Sequence, residues 1–360
     1  MSTESRIERN ALWIAVLNRD QDSYLYTPHN QKSESVLNAE GQIPWSRVIG
    51  GSSVQIKASG PTTRIDLHLR MIAKRYGIER IHVVGEPWGL PAHIALRSAK
   101  HVVIHGAENN YLQGNLVKDA WRVALTKRNL KKVVGFVGWH SFAVNAAKES
   151  GLPDQTPTLI APGQLPESQT FMSKRDNDFK SHEKLRVIFV GRLVQEKGVD
   201  VLIRSLSGFT GEVHLTVVGK GDEELNLRKL ATALKVDTMF AGWLDSPRLA
   251  TLMQASHVIA VPSRSTKRVR EQFGLAPLEG MLTGLPVLAA KVGALPDLVG
   301  AGGLFFDDGD EEALSKIISD LLRDRGRVSE LSKLALLRGQ DFSPEVIAKA
   351  ITDFWVSCER

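Results

Sequence analysis

The sequence predicts an α/β protein built of two doubly wound parallel-sheet domains, and three observations point there. Short β-branched apolar runs alternate with longer amphipathic ones along the whole chain. Several of the short runs are apolar on both faces, as strands covered by helices on both sides must be. The chain has 360 residues, enough to close two hydrophobic cores rather than one. Strands that alternate with helices pair in parallel, because each helix carries the chain back to the same edge of the sheet.

In chain order, the strand-like runs are Leu12–Leu17, Arg80–Val84, Val102–His105, Val133–Val137, Leu185–Val190, Val213–Val218, Thr238–Gly242, Val258–Val261 and Val287–Ala290. Helical periodicity covers Arg64–Tyr76, Asn115–Leu130, Phe142–Ser150, Val199–Leu206, Asp222–Ala233, Ser246–Ala255 and Glu311–Arg323. A last helical pattern, Pro344–Val356, is apolar at Val346, Ile347, Ala350, Ile351 and Phe354. Residues Gly163–Lys184 hold no strand, little periodicity and many charges, which reads as a linker. The chain therefore divides into residues 1–163, a linker over 164–184, residues 185–343 and a terminal helix over 344–360.

Composition narrows the function classes. The single cysteine, Cys358, rules out an internal disulfide framework and any cysteine-built metal site. Ala11–Leu17 is too short for a secretory core, and no apolar run approaches the length that spans a bilayer, so the expected location is cytoplasmic. The first strand-to-helix turns lack the G-x-G-x-x-G fingerprint, which argues against a dinucleotide dehydrogenase. The net charge of +6 is unevenly spread, with 20 basic and 14 acidic residues in 1–170 and 26 of each in 171–360. The N-terminal half is thus expected to meet an anionic partner. Nucleic acid is not expected, since no recognised module and no aromatic-basic stacking pattern is present. The strongest basic candidate is Asn115–Lys132. Its apolar residues Leu116, Val117, Trp121, Ala124 and Leu125 and its cations Lys127, Arg128, Lys131 and Lys132 suit an anionic membrane surface, or else a helix packed on the sheet with a solvated basic end.

Three segments place polar groups just past the carboxyl ends of strands, the edge where open α/β sheets bind ligands. Arg192 follows Leu185–Val190, with Lys197 five residues on. A guanidinium fork and a mobile ammonium at one strand tip form a clamp for a diphosphate. Gly219-Lys220-Gly221 follows Val213–Val218, and its glycines allow backbone to approach a flat ligand such as a nucleobase. Glu271 and Glu279 bracket the turn Phe273-Gly274-Leu275 and a helix with Pro277 in its first turn. A carboxylate in that loop can accept hydrogen bonds from sugar hydroxyls. One on the helix can hold a ribose diol.

Taken together, Gly191-Arg192-(x4)-Lys197-Gly198, Gly219-x-Gly221 and Glu271-Gln272-Phe273-Gly274-Leu275-(x3)-Glu279 resemble the retaining glycosyltransferases of the GT-B fold, specifically glycosyltransferase family 4 (glycosyl transferases group 1). The resemblance extends from about Leu185 to Phe354. It implies two Rossmann-like domains facing a cleft, the N-terminal one on the acceptor side, with the last helix crossing back to it. Arg192 and Lys197 would stabilise the departing nucleotide diphosphate, and Glu279 would bind the ribose. Glu271, with the backbone of Phe273, Gly274 and Leu275, would hold the donor sugar. His105, at the end of Val102–His105, would face that sugar, whereas His82, His93 and His101 read as structural. The implied activity is a retaining hexosyl transfer (EC 2.4 class) from a UDP-, GDP- or ADP-linked sugar to a glycan or lipid-linked acceptor. It needs no cofactor and no obligatory metal, and it suits polysaccharide biosynthesis by a peripheral protein at the inner face of a membrane. The alternatives are a nucleotide-sugar 2-epimerase and an inactive nucleotide- or glycan-binding protein on the same architecture. The Gly-Gly turn usual after the family's first strand is replaced by Asn18-Arg19-Asp20-Gln21-Asp22. Asp176-Asn177-Asp178 and Asp308-Gly309-Asp310 match a metal-binding D-x-D pattern, but the first lies among cations in the linker and the second precedes a helix that its acids would cap.

Overall fold

The structure, a computed structural model, describes residues 25–27, 48–50, 54–56, 63–65, 73–75, 77–107, 116–163, 165–166, 168–171, 183–265 and 274–358. The chain divides into two compact units, one of residues 1–165 and 344–360 and the other of residues 166–343.

The N-terminal unit opens with two short strand pairs. Strands β1 (Leu25–Thr27) and β2 (Val48–Gly50) run parallel, and β3 (Val54–Ile56) and β4 (Thr63–Ile65) antiparallel. The pattern Arg64–Tyr76 thus starts in a strand and not in a helix: Thr63 and Ile65 are β-branched and fit a pleated pair better than a helical turn. Leu12–Leu17 lies outside the described residues. A four-stranded parallel sheet follows, in the order β5 (Arg80–Val84), β6 (His101–Gly106), β7 (Gly135–Gly138) and β8 (Thr158–Ile160). Helices α1 (Leu90–Ser98), α2 (Leu116–Leu130) and α3 (Ser141–Glu149) connect consecutive strands. Val83, Val102, Ile104, Leu130, Phe136 and Val144 form one buried cluster between sheet and helices.

The C-terminal unit begins with α4 (Ser168–Phe171), inside the stretch expected to be a linker. Phe171 is almost wholly buried, and one such aromatic anchors the segment where periodicity over four residues is too short to read. Six strands then form a wholly parallel sheet: β9 (Leu185–Val190), β10 (Val213–Val218), β11 (Thr238–Gly242), β12 (Val258–Val261), β13 (Val287–Ala290) and β14 (Gly303–Phe306). Their spatial order is β11-β10-β9-β12-β13-β14. The chain works outward from β9 in one direction, then returns to its other side at β12. The β9/β12 junction is therefore the topological switch point, outside whose carboxyl ends such sheets hold ligands. Between and after these strands lie α5 (Val199–Ser205), α6 (Glu224–Ala233), α7 (Ser246–Gln254), α8 (Leu275–Leu282), α9 (Leu295–Val299), α10 (Glu311–Arg323) and α11 (Gly326–Gln340). Every residue of β12 and β13 is buried, which explains why these strands read as unbroken apolar runs.

The last helix, α12 (Pro344–Ser357), belongs to the N-terminal unit. It packs on β7, where a side chain at Gly135 would collide with Phe354 and Cys358. The glycine is what lets helix and strand meet.

Candidate active site

The carboxyl ends of β9, β10 and β12 carry most of the residues singled out in the sequence. The turn after β9 is held by the turn after β10. Gly191 N–H donates to Val218 O and Leu193 N–H to Lys220 O, each at 3.0 Å. A Cβ at Gly219 would run into the Gly191 carbonyl, and one at Gly221 into that of Leu193. Gly219 also holds φ at +139°, a value that side chains disfavour. The two glycines thus admit the neighbouring backbone of the Arg192 turn. Lacing the two turns leaves Arg192 exposed while its neighbour Leu193 is buried, so the guanidinium projects from a fixed base. Among the described residues Arg192 has no ion-pair partner.

Lys197 closes a short 3-10 turn, Gln195–Lys197, and is partly buried. The next residue, Gly198, adopts φ +63°, and a Cβ there would overlap the Pro262 carbonyl of the loop after β12. The same loop is fastened by Arg264, whose amide donates to Glu196 O at 2.8 Å and whose guanidinium pairs with Asp200 at 2.9 Å. The clamp candidates after β9 and the loop leading towards Glu271 are therefore bound together at the switch point.

Glu271 and Phe273 lie outside the described residues. Gly274 caps α8 with φ +62°, and Leu275 is the first helical residue. Glu279 sits in the second turn of α8, partly exposed, while Pro277, Leu278, Gly280, Met281 and Leu282 are buried. Gly280 lets the helix approach Ile259 of β12. The helix starts at the strand carboxyl edge because β12 and β13 run parallel. Its leading amides lack intrahelical partners and can receive an anion.

His105 departs from its expected role. It is the last but one residue of β6 and is fully buried. Its Nε2 lies 2.7 Å from the Ala161 carbonyl and its Nδ1 lies 3.1 Å from His82 Nε2. Burial lowers its pKa to about 4, and both ring nitrogens already have partners where contact with a sugar was expected. No local pattern signals this, since whether a strand-end imidazole faces in or out depends on what packs across it.

Of the D-x-D matches, Asp176-Asn177-Asp178 lies outside the described residues. Asp308 accepts from Ser265 N–H and Asp310 caps α10 through Ala313 N–H, each at 2.8 Å. Among the described residues no group of three or more His, Cys, Asp or Glu side chains is placed to hold a metal ion. In α2, Leu125 and Leu130 are buried, Asn129 donates to Pro87 O at 2.8 Å, and Trp121, Ala124, Lys127 and Arg128 are exposed, as are Lys131 and Lys132 in the turn that follows. The side chains of Leu116 and Val117 lie outside the described ones. No helix among the described residues is long and apolar enough to cross a membrane.

The chain resembles known proteins in sequence and in fold. Residues 172–336 match the family described as Glycosyl transferases group 1. Over 158 residues the chain is 34% identical to sulfoquinovosyl transferase SQD2 of Arabidopsis thaliana, covering 42% of this chain and 29% of that protein. Over 212 residues it is 32% identical to a D-inositol 3-phosphate glycosyltransferase of Corynebacterium efficiens, covering 55% and 48%. The matches therefore span less than half the length of these curated relatives. Among solved structures, Anabaena HepE in complex with UDP aligns with a TM-score of 0.72 at 19% identity, covering 96% of this chain and 95% of that one. A glycosyltransferase from Rickettsia africae also reaches 0.72, at 14% identity. Two parallel-sheet α/β units with these neighbours define a GT-B fold. Within it, the match to Glycosyl transferases group 1 falls in the C-terminal unit.

Proposed function

We propose that the protein is a retaining hexosyltransferase of glycosyltransferase family 4, moving a hexose from a nucleotide sugar to a glycan or lipid-linked acceptor without a metal. The observation that carries this reading is topological. Arg192 follows β9 and Glu279 stands on the helix after β12, the two strands that flank the switch point.

Arg192 and Lys197 neutralise the donor diphosphate, and their attraction grows as the C1–O bond to it breaks. The acceptor oxygen bonds C1 on the face the diphosphate leaves, and the acceptor proton passes to a phosphate oxygen. Glu279 holds the ribose. Glu271 and the segment Phe273-Gly274-Leu275 hold the sugar. Gly219 and Gly221 contribute by fixing the Arg192 turn. His105 contributes by holding backbone and not by touching sugar.

Exposed Trp121, together with Lys127, Arg128, Lys131 and Lys132, suits an anionic leaflet, where a lipid-linked acceptor would be met in a polysaccharide pathway at the inner face of a membrane. The HepE neighbour was solved with UDP, which makes UDP-sugars the first donors to try, ahead of GDP- and ADP-sugars.

The test is a melting screen against UDP, GDP and ADP and their sugars, followed by product analysis with and without acceptor. A midpoint raised by a nucleotide, with acceptor-dependent sugar transfer and retained anomeric configuration, is expected. Donor conversion without acceptor indicates an epimerase instead. Binding without turnover indicates a binding protein, and neither binding nor turnover defeats the reading.

A further inference from the structure

Two helices of the N-terminal unit bring cations together without supplying a counterion. The chain holds no Asp or Glu from Pro87 to Ala107, a stretch that contains α1, and none from Ala120 to Lys148, which contains most of α2. An ordinary solvated face mixes the two signs of charge. These two stretches carry only one.

Arg128 of α2 meets His93 of α1, its Nη2 lying 2.8 Å from His93 Nδ1. A guanidinium only donates, so His93 Nδ1 accepts and the ring proton sits on Nε2. Burial first, then the charges of Arg128 and Arg97, lower the His93 pKa below its ordinary value, which keeps Nδ1 able to accept at neutral pH. Arg97 stands one helical turn beyond His93 on the same face of α1. Lys132 follows Arg128 by the same spacing, in a turn where its N–H donates to Asn129 O at 3.0 Å, and its charge also reaches His93. Among the described residues none of Arg97, Arg128 and Lys132 has a carboxylate partner.

The cluster stands on a fixed base. Asn129, next to Arg128, donates from Nδ2 to Pro87 O at 2.8 Å, and the Arg122 guanidinium lies 4.8 Å from the centre of the Trp88 ring. Pro87 and Trp88 lie just ahead of α1, so both contacts hold α2 against the start of the helix that carries His93 and Arg97. Like charges held together repel, and an anion that binds between them relieves the repulsion. Because the helices are already fastened, binding does not have to gather them.

The polar groups on offer are donors only: two guanidinium forks, an ammonium and the His93 Nε2–H. A carboxylate brings two oxygens and one charge, whereas a phosphoryl group brings three oxygens and up to two charges. Guanidinium forks also match phosphate oxygens in pairs. We propose that His93, Arg97, Arg128 and Lys132 form a binding site for a phosphoryl group, carried by a soluble phosphate or by a phospholipid headgroup. The site lies in the N-terminal unit, whereas Arg192 and Lys197 lie in the C-terminal one. It does not rest on the transferase reading above.

The test uses the full chain in an Arg192→Ala background, which weakens phosphate binding at the other unit. Inorganic phosphate is titrated while proton–nitrogen NMR follows the His93 ring, with ionic strength held constant by sodium chloride. The ring resonances should move and saturate at millimolar phosphate, and sodium chloride alone should leave them in place. Arg97→Ala and Lys132→Ala should each weaken that binding about fivefold or more. Lys127→Ala is the control. It removes the same charge from α2, but the Lys127 stem packs beside Gly151, past the end of α3, so affinity should change by less than about twofold.

Vesicles of phosphatidylcholine containing phosphatidic acid or phosphatidylglycerol, matched in surface charge, separate the two sources. A preference for phosphatidic acid that Arg97→Ala abolishes and Lys127→Ala keeps assigns the site to a headgroup. Saturation by inorganic phosphate without that preference assigns it to a soluble phosphate. The proposal is overturned when Arg97→Ala, Lys132→Ala and Lys127→Ala lower phosphate and vesicle binding alike, or when neither phosphate nor vesicles bind. Neither readout needs turnover, so failure of the transferase reading leaves this test standing.

Discussion

Arg192→Ala removes the one guanidinium that projects from the laced turns at the switch point. Two charge-assisted hydrogen bonds to a diphosphate would go with it, so nucleotide affinity should fall at least tenfold, or about 1.5–3 kcal/mol, by calorimetric titration. Lys197→Ala should act in the same direction but less strongly, since an ammonium binds phosphate as a point charge. Glu271→Ala should abolish turnover in a product assay and leave nucleotide binding largely intact, because its proposed partner is the sugar. The histidines supply a pH prediction. His105 in the folded protein titrates at about 4, and His82 is likewise lowered, both by burial first. The unfolded chain, with histidines near 6.5, binds more protons below that pH, so stability is full above 6.5 and is lost as pH falls towards 4. For His105 alone the shift corresponds to on the order of 3 kcal/mol. His105→Gln should flatten the slope of melting midpoint against pH across that window. Arg192 and Lys197 stood out in the sequence because cations just past a strand, at a helix start, oppose the helix dipole. His105 did not declare its surroundings, because those come from residues as distant as Ala161.

At the scale of elements, the turns carry as much of the site as the strands. Gly219→Ala would place a methyl against the Gly191 carbonyl at φ +139°. The left-handed backbone alone costs about 1–3 kcal/mol, and the overlap must also push the Arg192 turn aside. Melting should show the loss of stability, and nucleotide affinity should fall with it although no ligand-facing group has changed. Asp310→Ala, by contrast, removes only the cap on α10. It should cost about 0.5–2 kcal/mol in denaturant unfolding and leave nucleotide affinity unaltered. Strands β9, β10, β12 and β13 of the C-terminal sheet were readable because they are largely buried and a mostly apolar run of four to six residues has few other uses, whereas β14, with only Phe306 buried, was not among the runs read as strands. Thr63–Ile65 and α4 were not readable. Three or four residues hold about one helical turn, too little to show a period, and their state is set by a partner strand or a buried Phe171.

For the whole molecule, the division into two compact units predicts two unfolding events rather than one. Scanning calorimetry with saturating nucleotide should raise the transition of the unit made of residues 166–343, and the other should move little. A rise confined to the other unit would place donor binding there and contradict the roles given to Arg192 and Glu279. The uneven charge has its own test. Sedimentation with vesicles rich in anionic lipid should pull the protein down at low salt and release it at high salt. Trp121→Ala combined with Lys131→Glu should weaken that association.

The sequence by itself determined the alternation of strands and helices, the placing of Arg192, Lys197 and Glu279 past strand ends, and the basic excess of the N-terminal half. Those features are local. Hydrophobic period, turn residues and charge are properties of neighbours along the chain. Only the tertiary structure decided that β9 and β12 lie side by side, that Gly219 and Gly221 admit the backbone of the Arg192 turn, and that His105 faces inward to Ala161 and His82. Each of these depends on which surfaces meet after the chain has crossed and returned. Close packing allows a buried imidazole or a side-chain-free backbone contact only where its distant partner supplies the matching group.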